Sequence, residues 1–141
     1  MQRVYSLLVD NNSGVLSRIS GLFTRRGYNI DSITAGVTAD PRFTRITIVS
    51  SGDEIILSQI EKQIAKLEDV IVVKVLKPEE SVYRELILVK IRANAQQRSE
   101  IVSIADIFRA KIVDAERESL VIELTGTQSK LEAFLQLLDG Y

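Results

Sequence analysis

Apolar residues follow two rhythms along this chain. Residues 3–9 (RVYSLLV) form a short run of branched aliphatics and one aromatic, which predicts a buried strand, and the run stops at the turn-forming cluster Asp10, Asn11, Asn12, Ser13 and Gly14. The spacing then changes to threes and fours. Val15, Leu16, Ile19, Leu22 and Phe23 make one stripe, while Ser17, Arg18, Thr24, Arg25 and Arg26 fall largely off it, so an amphipathic helix is predicted with Gly27 as its stop. Residues 30–38 suit a strand interrupted by Ala35 and Gly36, and residues 43–50 (FTRITIVS) alternate as a half-buried strand should. Ala39, Asp40, Pro41 and Arg42 join these two as a hairpin. Gly52 and Asp53 open a second helix, with Asp53 as N-cap and Ile56, Leu57, Ile60, Ile64 and Leu67 as its buried stripe; residues 70–76 (VIVVKVL) close the half as a strand.

Strand, helix, strand, strand, helix, strand is the ferredoxin-like order βαββαβ, an antiparallel sheet with two helices on one face, and the class is α+β. Lys77, Pro78, Glu79 and Glu80 combine a proline with a charge cluster at mid-chain and mark a linker, so the domains are expected at residues 1–77 and 78–141. The second half repeats the pattern. Residues 84–92 read as a strand and are followed by a polar break at 94–98. A helix bearing Ile101, Ile104, Ala105 and Phe108 comes next, then two short strands at 111–115 and 120–125. After Gly126 comes a helix carrying Leu131, Phe134, Leu135 and Leu138. The apolar offsets of Leu131, Phe134 and Leu138 from Gly126 equal those of Leu57, Ile60 and Ile64 from Gly52, which supports duplication of one architecture. The chain ends at Tyr141, where the second unit needs its last strand. The expectation is a truncated second domain whose sheet has an exposed or borrowed edge.

Composition removes several function classes. Cysteine and histidine are both absent, which excludes a disulfide framework, the usual zinc ligands, and Ser-His or Cys-His nucleophile pairs. Eighteen basic residues against nineteen acidic ones give a net charge of -1, so no strongly basic face for nucleic acid is expected. The split fold also hosts RNA-recognition domains, but the strands here lack the stacking aromatics those need. The N-terminus has no apolar signal region and no apolar run spans a bilayer, so a cytoplasmic chain without membrane association is expected. There is no Walker A loop and no Gly-x-Gly-x-x-Gly segment. Glu79 and Glu80 read as a solvated linker and Glu116 to Glu118 as a charged hairpin tip, and neither is assigned chemistry.

Two polar spots remain. A helix beginning near Gly14 presents unpaired backbone N–H groups and the positive end of its dipole, a setting that favours a carboxylate or phosphate. Asn11, Asn12 and Ser13 either cap that helix or aim their amides and hydroxyl at a ligand. The second spot is Asn29, between the first helix and the second strand. It either satisfies turn backbone or offers an amide oxygen to a ligand ammonium, and the two spots need not share one subunit. Arg25 and Arg26 complement the helix dipole, or else form a docking surface.

The stretch LLVDNNSGVLSRISGLFTRRGYNIDSI closely resembles the start of the small regulatory subunit family of acetohydroxyacid synthase, also called acetolactate synthase. The resemblance continues through FTRITIV, IEKQIAKLEDVIVVKV, RELILVKI, IADIFRAKIVD and LTGTQSKLEAFL. It implies two tandem ACT-type domains in a noncatalytic chain that activates a separate large catalytic subunit and confers feedback inhibition by valine in branched-chain amino acid biosynthesis. It also implies a homodimer whose N-terminal ACT domains pair side by side with valine at their interface. Thiamine diphosphate, FAD and Mg belong to the catalytic partner, and none is expected in this chain. The resemblance carries binding roles onto Asn11, Gly14 and Asn29, with Asn12, Ser13, Val15, Leu16 and Ile30 as lining residues. A side chain at Gly14 is expected to intrude into the site. The alternative reading is a free-standing amino-acid sensor with the same site and no catalytic partner.

Overall fold

The structure is a computed structural model describing residues 1–141, and the chain divides into two compact units, Met1–Ser81 and Val82–Tyr141. In the first unit β1 (Gln2–Asp10), α1 (Val15–Arg26), β2 (Ser32–Val37), β3 (Phe43–Ser51), α2 (Glu54–Ala65) and β4 (Val70–Leu76) follow in the expected order. The sheet runs β2-β3-β1-β4 with every neighbouring pair antiparallel. β1 is flanked on both sides, and its register sets Leu7 opposite Ile46 on β3 and Val73 on β4. Tyr5, Leu7 and Val9 therefore point to one face. There they pack with Ile19, Leu22 and Phe23 of α1 and Leu57, Ile60 and Ile64 of α2 in a single core. Burying each of these side chains contributes about 1.5–3 kcal/mol against chain entropy.

The second unit holds β5 (Glu85–Arg92), α3 (Ala95–Ile107), β6 (Lys111–Ala115), β7 (Ser119–Gly126) and α4 (Gln128–Leu138), with sheet order β5-β7-β6. Its own core joins Ile91, Leu120, Ile122 and Leu124 to Ile101, Ala105, Leu131 and Phe134. Phe134 meets Phe108 edge-on with ring centroids 5.3 Å apart. The edge of β1 taken by β4 in the first unit corresponds to a free edge of β5 in the second. Lys77 to Glu80, read as a linker, contains a one-turn 3-10 helix at Pro78–Glu80.

Helix boundaries follow local chemistry. Asp53 caps α2 by accepting from the Ile56 N–H, Thr127 accepts from the Lys130 N–H, and Asn94 with Gln97 forms a reciprocal capping box on α3. Gly27 ends α1 in the left-handed region at φ 69°. Three stripe residues depart from expectation: Leu16, Ile56 and Leu135 are exposed rather than buried. Each adjoins a buried stripe residue (Val15, Leu57 and Phe134), and one step along a helix turns a side chain about 100° away from its neighbour's face. β2 is also shorter than residues 30–38, because Asn29 and Asp31 are held by side chains from the end of β3 before the regular ladder starts.

Candidate functional site

The turn from β1 into α1 is built by backbone pairing to its neighbours. The Asn11 N–H donates to Arg42 O at 2.8 Å and the Asp10 N–H to Asp69 O at 2.9 Å, which pins the turn between the β2–β3 hairpin and the start of β4. Asn11 does not cap α1. Its Nδ2 donates to Pro41 O at 2.9 Å, and its Oδ1 accepts from Thr44 Oγ1 at 3.1 Å. Asn12 and Ser13 do not cap it either. The N-cap position is Gly14, at φ 89° in the left-handed region, and α1 has no side-chain cap and no acidic residue in its first turn. The first-turn N–H groups and the dipole therefore face a concavity of about 200 Å³ lined by Asp10, Asn11, Asn12, Ser13, Gly14, Leu16 and Thr44 among others. Val15 also lines it, although its side chain is largely buried in the core.

Gly14 lines the concavity and stands beside Arg18. A Cβ built there would lie 3.1 Å from Arg18 Nη1, and Arg18 does not line the concavity. Arg18 in turn pairs with Asp69 through its Nε. A side chain at Gly14 thus meets the Arg18 guanidinium, in a backbone conformation that L-residues rarely adopt.

Asn29 and Ile30 lie elsewhere. Asn29 O accepts from Ser50 Oγ at 2.5 Å, and its Nδ2 donates to Asp31 Oδ1 at 2.7 Å, leaving the Asn29 Oδ1 without a donor. Asp31 also accepts from Ser51 Oγ and from Gln2 Nε2. These hydrogen bonds, Ser51 first and Asn29 next, hold its carboxyl below the usual carboxylate range. Ile30 is half-buried against the first core. Within one chain the two spots stand at opposite ends of β3: Asn11 is tied to Thr44 at one end and Asn29 to Ser50 near the other. At about 3.3 Å per residue that separation is about 20 Å, too far for one small ligand to touch both.

Between them runs β2, an edge strand whose residues are all exposed. Its register against β3 continues to Thr38, whose N–H donates to Phe43 O at 3.0 Å. By antiparallel alternation Ser32, Thr34 and Gly36 face β3, so Ile33, Ala35 and Val37 turn their N–H groups to the free edge.

Sequence reading missed Asp31, Thr44 and Arg18 as neighbours of these spots. Each is a polar residue in or beside a regular element, and only the strand register reveals what it touches. A wider, open hollow of about 790 Å³ in the second unit is lined by exposed Lys90, Arg92, Glu116, Arg117, Glu118 and Tyr141, a mixture of signs around no convergent group. No group of three or more His, Cys, Asp or Glu stands close enough to hold a metal ion. No helix is long and apolar enough to cross a membrane.

This split sheet, with its open turn before the first helix, is an ACT-type regulatory domain: residues 5–72 match the family described as the AHAS small subunit-like ACT domain. Residues 84–141 match the small subunit of acetolactate synthase. A probable acetolactate synthase small subunit of Methanothermobacter thermautotrophicus is 47% identical over 139 residues, covering 98% of this chain and 83% of the relative. The isozyme 3 small subunit of Escherichia coli is 47% identical over 135 residues, covering 96% and 83%. The crystal structure of the acetolactate synthase small subunit from Thermotoga maritima superimposes with a TM-score of 0.91 at 42% identity, covering 99% of this chain and 87% of that one. The chain belongs to the acetolactate synthase small-subunit family, and it is a regulatory rather than a catalytic chain.

Proposed function

We propose that this chain activates a large, thiamine-diphosphate-dependent catalytic subunit of acetolactate synthase in the cytoplasm and makes it responsive to valine, bound between two copies of the chain. The observation that carries this reading is the placement of the two polar spots at opposite ends of β3, the strand that lies beside the free edge strand β2. Antiparallel pairing of β2 with β2 about a two-fold axis reverses the partner. The Asn29 end of one chain then meets the Asn11–Gly14 turn of the other, and two equivalent sites form. The family resemblance at Asn11, Gly14 and Asn29 supports the same assignment.

The chemistry of the two ends is complementary to an α-amino acid. The effector carboxylate meets the N–H groups of the first turn of α1, which holds no acidic residue and no side-chain cap, while Asp10 lines the concavity just before that turn. The ammonium meets Asn29 Oδ1 from the partner and the remaining lone pair of Asn11 Oδ1. Leu16, exposed at the concavity, and Ile30 receive the isopropyl group, with Asn12, Ser13 and Val15 completing the wall. Three buried carbons at about 0.8 kcal/mol each contribute about 2 kcal/mol, so discrimination between valine and leucine is modest. Because the ligand bridges two chains, it shifts how they pack. That differential free energy is what reaches the catalytic partner as inhibition.

Calorimetric titration of the purified chain with valine, leucine and isoleucine tests the site, with Asn29→Ala as control. Valine binding that disappears in Asn29→Ala is expected, and unchanged binding in that variant contradicts the assignment. Co-purification with a large thiamine-diphosphate enzyme separates a holoenzyme subunit from a free-standing sensor.

A further inference from the structure

We infer that Asp31 determines the chemical class of the effector: it orients the Asn29 amide and places an uncompensated negative charge at the ammonium end, so the site selects α-amino acids over 2-oxo acids of the same shape. The inference rests on the effector site proposed above. An ionised carboxylate only accepts hydrogen bonds, so the amide group turned toward Asp31 Oδ1 at 2.7 Å must be the Asn29 Nδ2, and the carbonyl oxygen is left facing outward as an acceptor. A neutral residue at position 31 would permit the opposite orientation, in which Asn29 presents a donor to the ligand.

The remaining contacts of Asp31 strengthen the argument. Its other donors are the Ser51 hydroxyl and the Gln2 amide at 3.3 Å, both neutral, and none of the ion pairs in the protein involves it. Its charge is therefore not cancelled by a neighbouring cation. Across the two-fold pairing, this negative corner stands opposite the positive end of α1 of the partner chain. The two ends of the site thus match a zwitterion held with its carboxylate at α1 and its ammonium at Asn29. A 2-oxo acid keeps the carboxylate and the branched side chain but offers a carbonyl oxygen where the ammonium stood. Two acceptors and a full negative charge then face that oxygen, and a site built to receive a donor leaves its own polar groups unpaired.

The test titrates the full chain, Asp31→Asn and Asp31→Glu with valine and with 3-methyl-2-oxobutanoate, with thermal melts confirming that each variant is folded. The wild-type chain is expected to prefer valine by about a hundredfold or more. Asp31→Asn is expected to weaken valine by about tenfold while leaving the oxo acid unchanged or tighter, and Asp31→Glu to keep the preference. A folded Asp31→Asn that retains the full preference, or a folded Asp31→Glu that loses it, overturns the inference and leaves the valine site standing. A wild-type chain that binds no valine overturns the site and the inference together.

Discussion

Tyr5 and Gly14 show how single residues set the properties of the first unit. Tyr5 is fully buried on β1, an inner strand, and its hydroxyl donates to Leu57 O at 2.7 Å, tying β1 to α2. Burial pushes its phenol from 10.0 up to about 12, with neighbouring charges making smaller contributions. The folded state therefore holds the proton more tightly than the unfolded chain. The resulting stability is complete below the unfolded value and is lost as pH rises toward the folded one. Thermal melts from pH 10 to 12 should fall more steeply for the wild type than for Tyr5→Phe, which costs about 1 kcal/mol at neutral pH through the lost hydrogen bond. Parallel pH curves would contradict this account. The Asp53 cap and the buried stripe at Leu57, Ile60 and Ile64 were legible in the sequence because both depend on residues within a turn or two. What Asn11 does was not legible. Its amide is taken by Pro41, 30 residues away, so Gly14 is left as an N-cap without a side-chain acceptor. That a Gly14 substituent would meet Arg18 likewise depends on a contact distant in sequence, the pairing of that guanidinium with Asp69.

At the scale of elements, β2 is the part of the first sheet most open to a partner. Strand order makes it an edge, its six residues are exposed, and Ile33, Ala35 and Val37 present outward N–H groups. Ala35→Pro removes one outward donor and adds a ring on the free side, while the ladder to β3 keeps its bonds through Thr34 and Gly36. Sedimentation should show Ala35→Pro shifted toward monomer, with valine affinity falling in step and the first unit still folded. A dimer of undiminished strength would mean that the chains associate through another surface. The order of elements was legible from the switch between periods of two and about 3.6, and the boundaries of β4 and β6 were read to the residue. Strand order was legible only through the topology that βαββαβ implies. The late start of β2, at Ser32 rather than residue 30, comes from side chains at the far end of β3, which no local pattern encodes.

For the whole molecule, the account depends on a site that one chain cannot complete. The internal repeat reads clearly in the sequence, and each half folds around its own core, with Tyr5, Phe23 and Leu57 in one and Phe134, Ile101 and Ile122 in the other. The proposed effector site uses only the first half, but it uses that half twice. Gly14→Asp and Asn29→Ala damage opposite ends of the proposed site: the first strains the left-handed N-cap and sets a carboxylate beside Arg18, and the second removes the amide oxygen. Each homodimer of a single variant carries two defective sites. A heterodimer of one Gly14→Asp chain with one Asn29→Ala chain joins the intact turn of the second to the intact Asn29 of the first, restoring one site and leaving the other doubly defective. The decisive measurement is calorimetric titration of that purified heterodimer with valine. The account predicts one valine per dimer at an affinity close to wild type, where neither parent variant binds. No binding by the heterodimer would contradict the account.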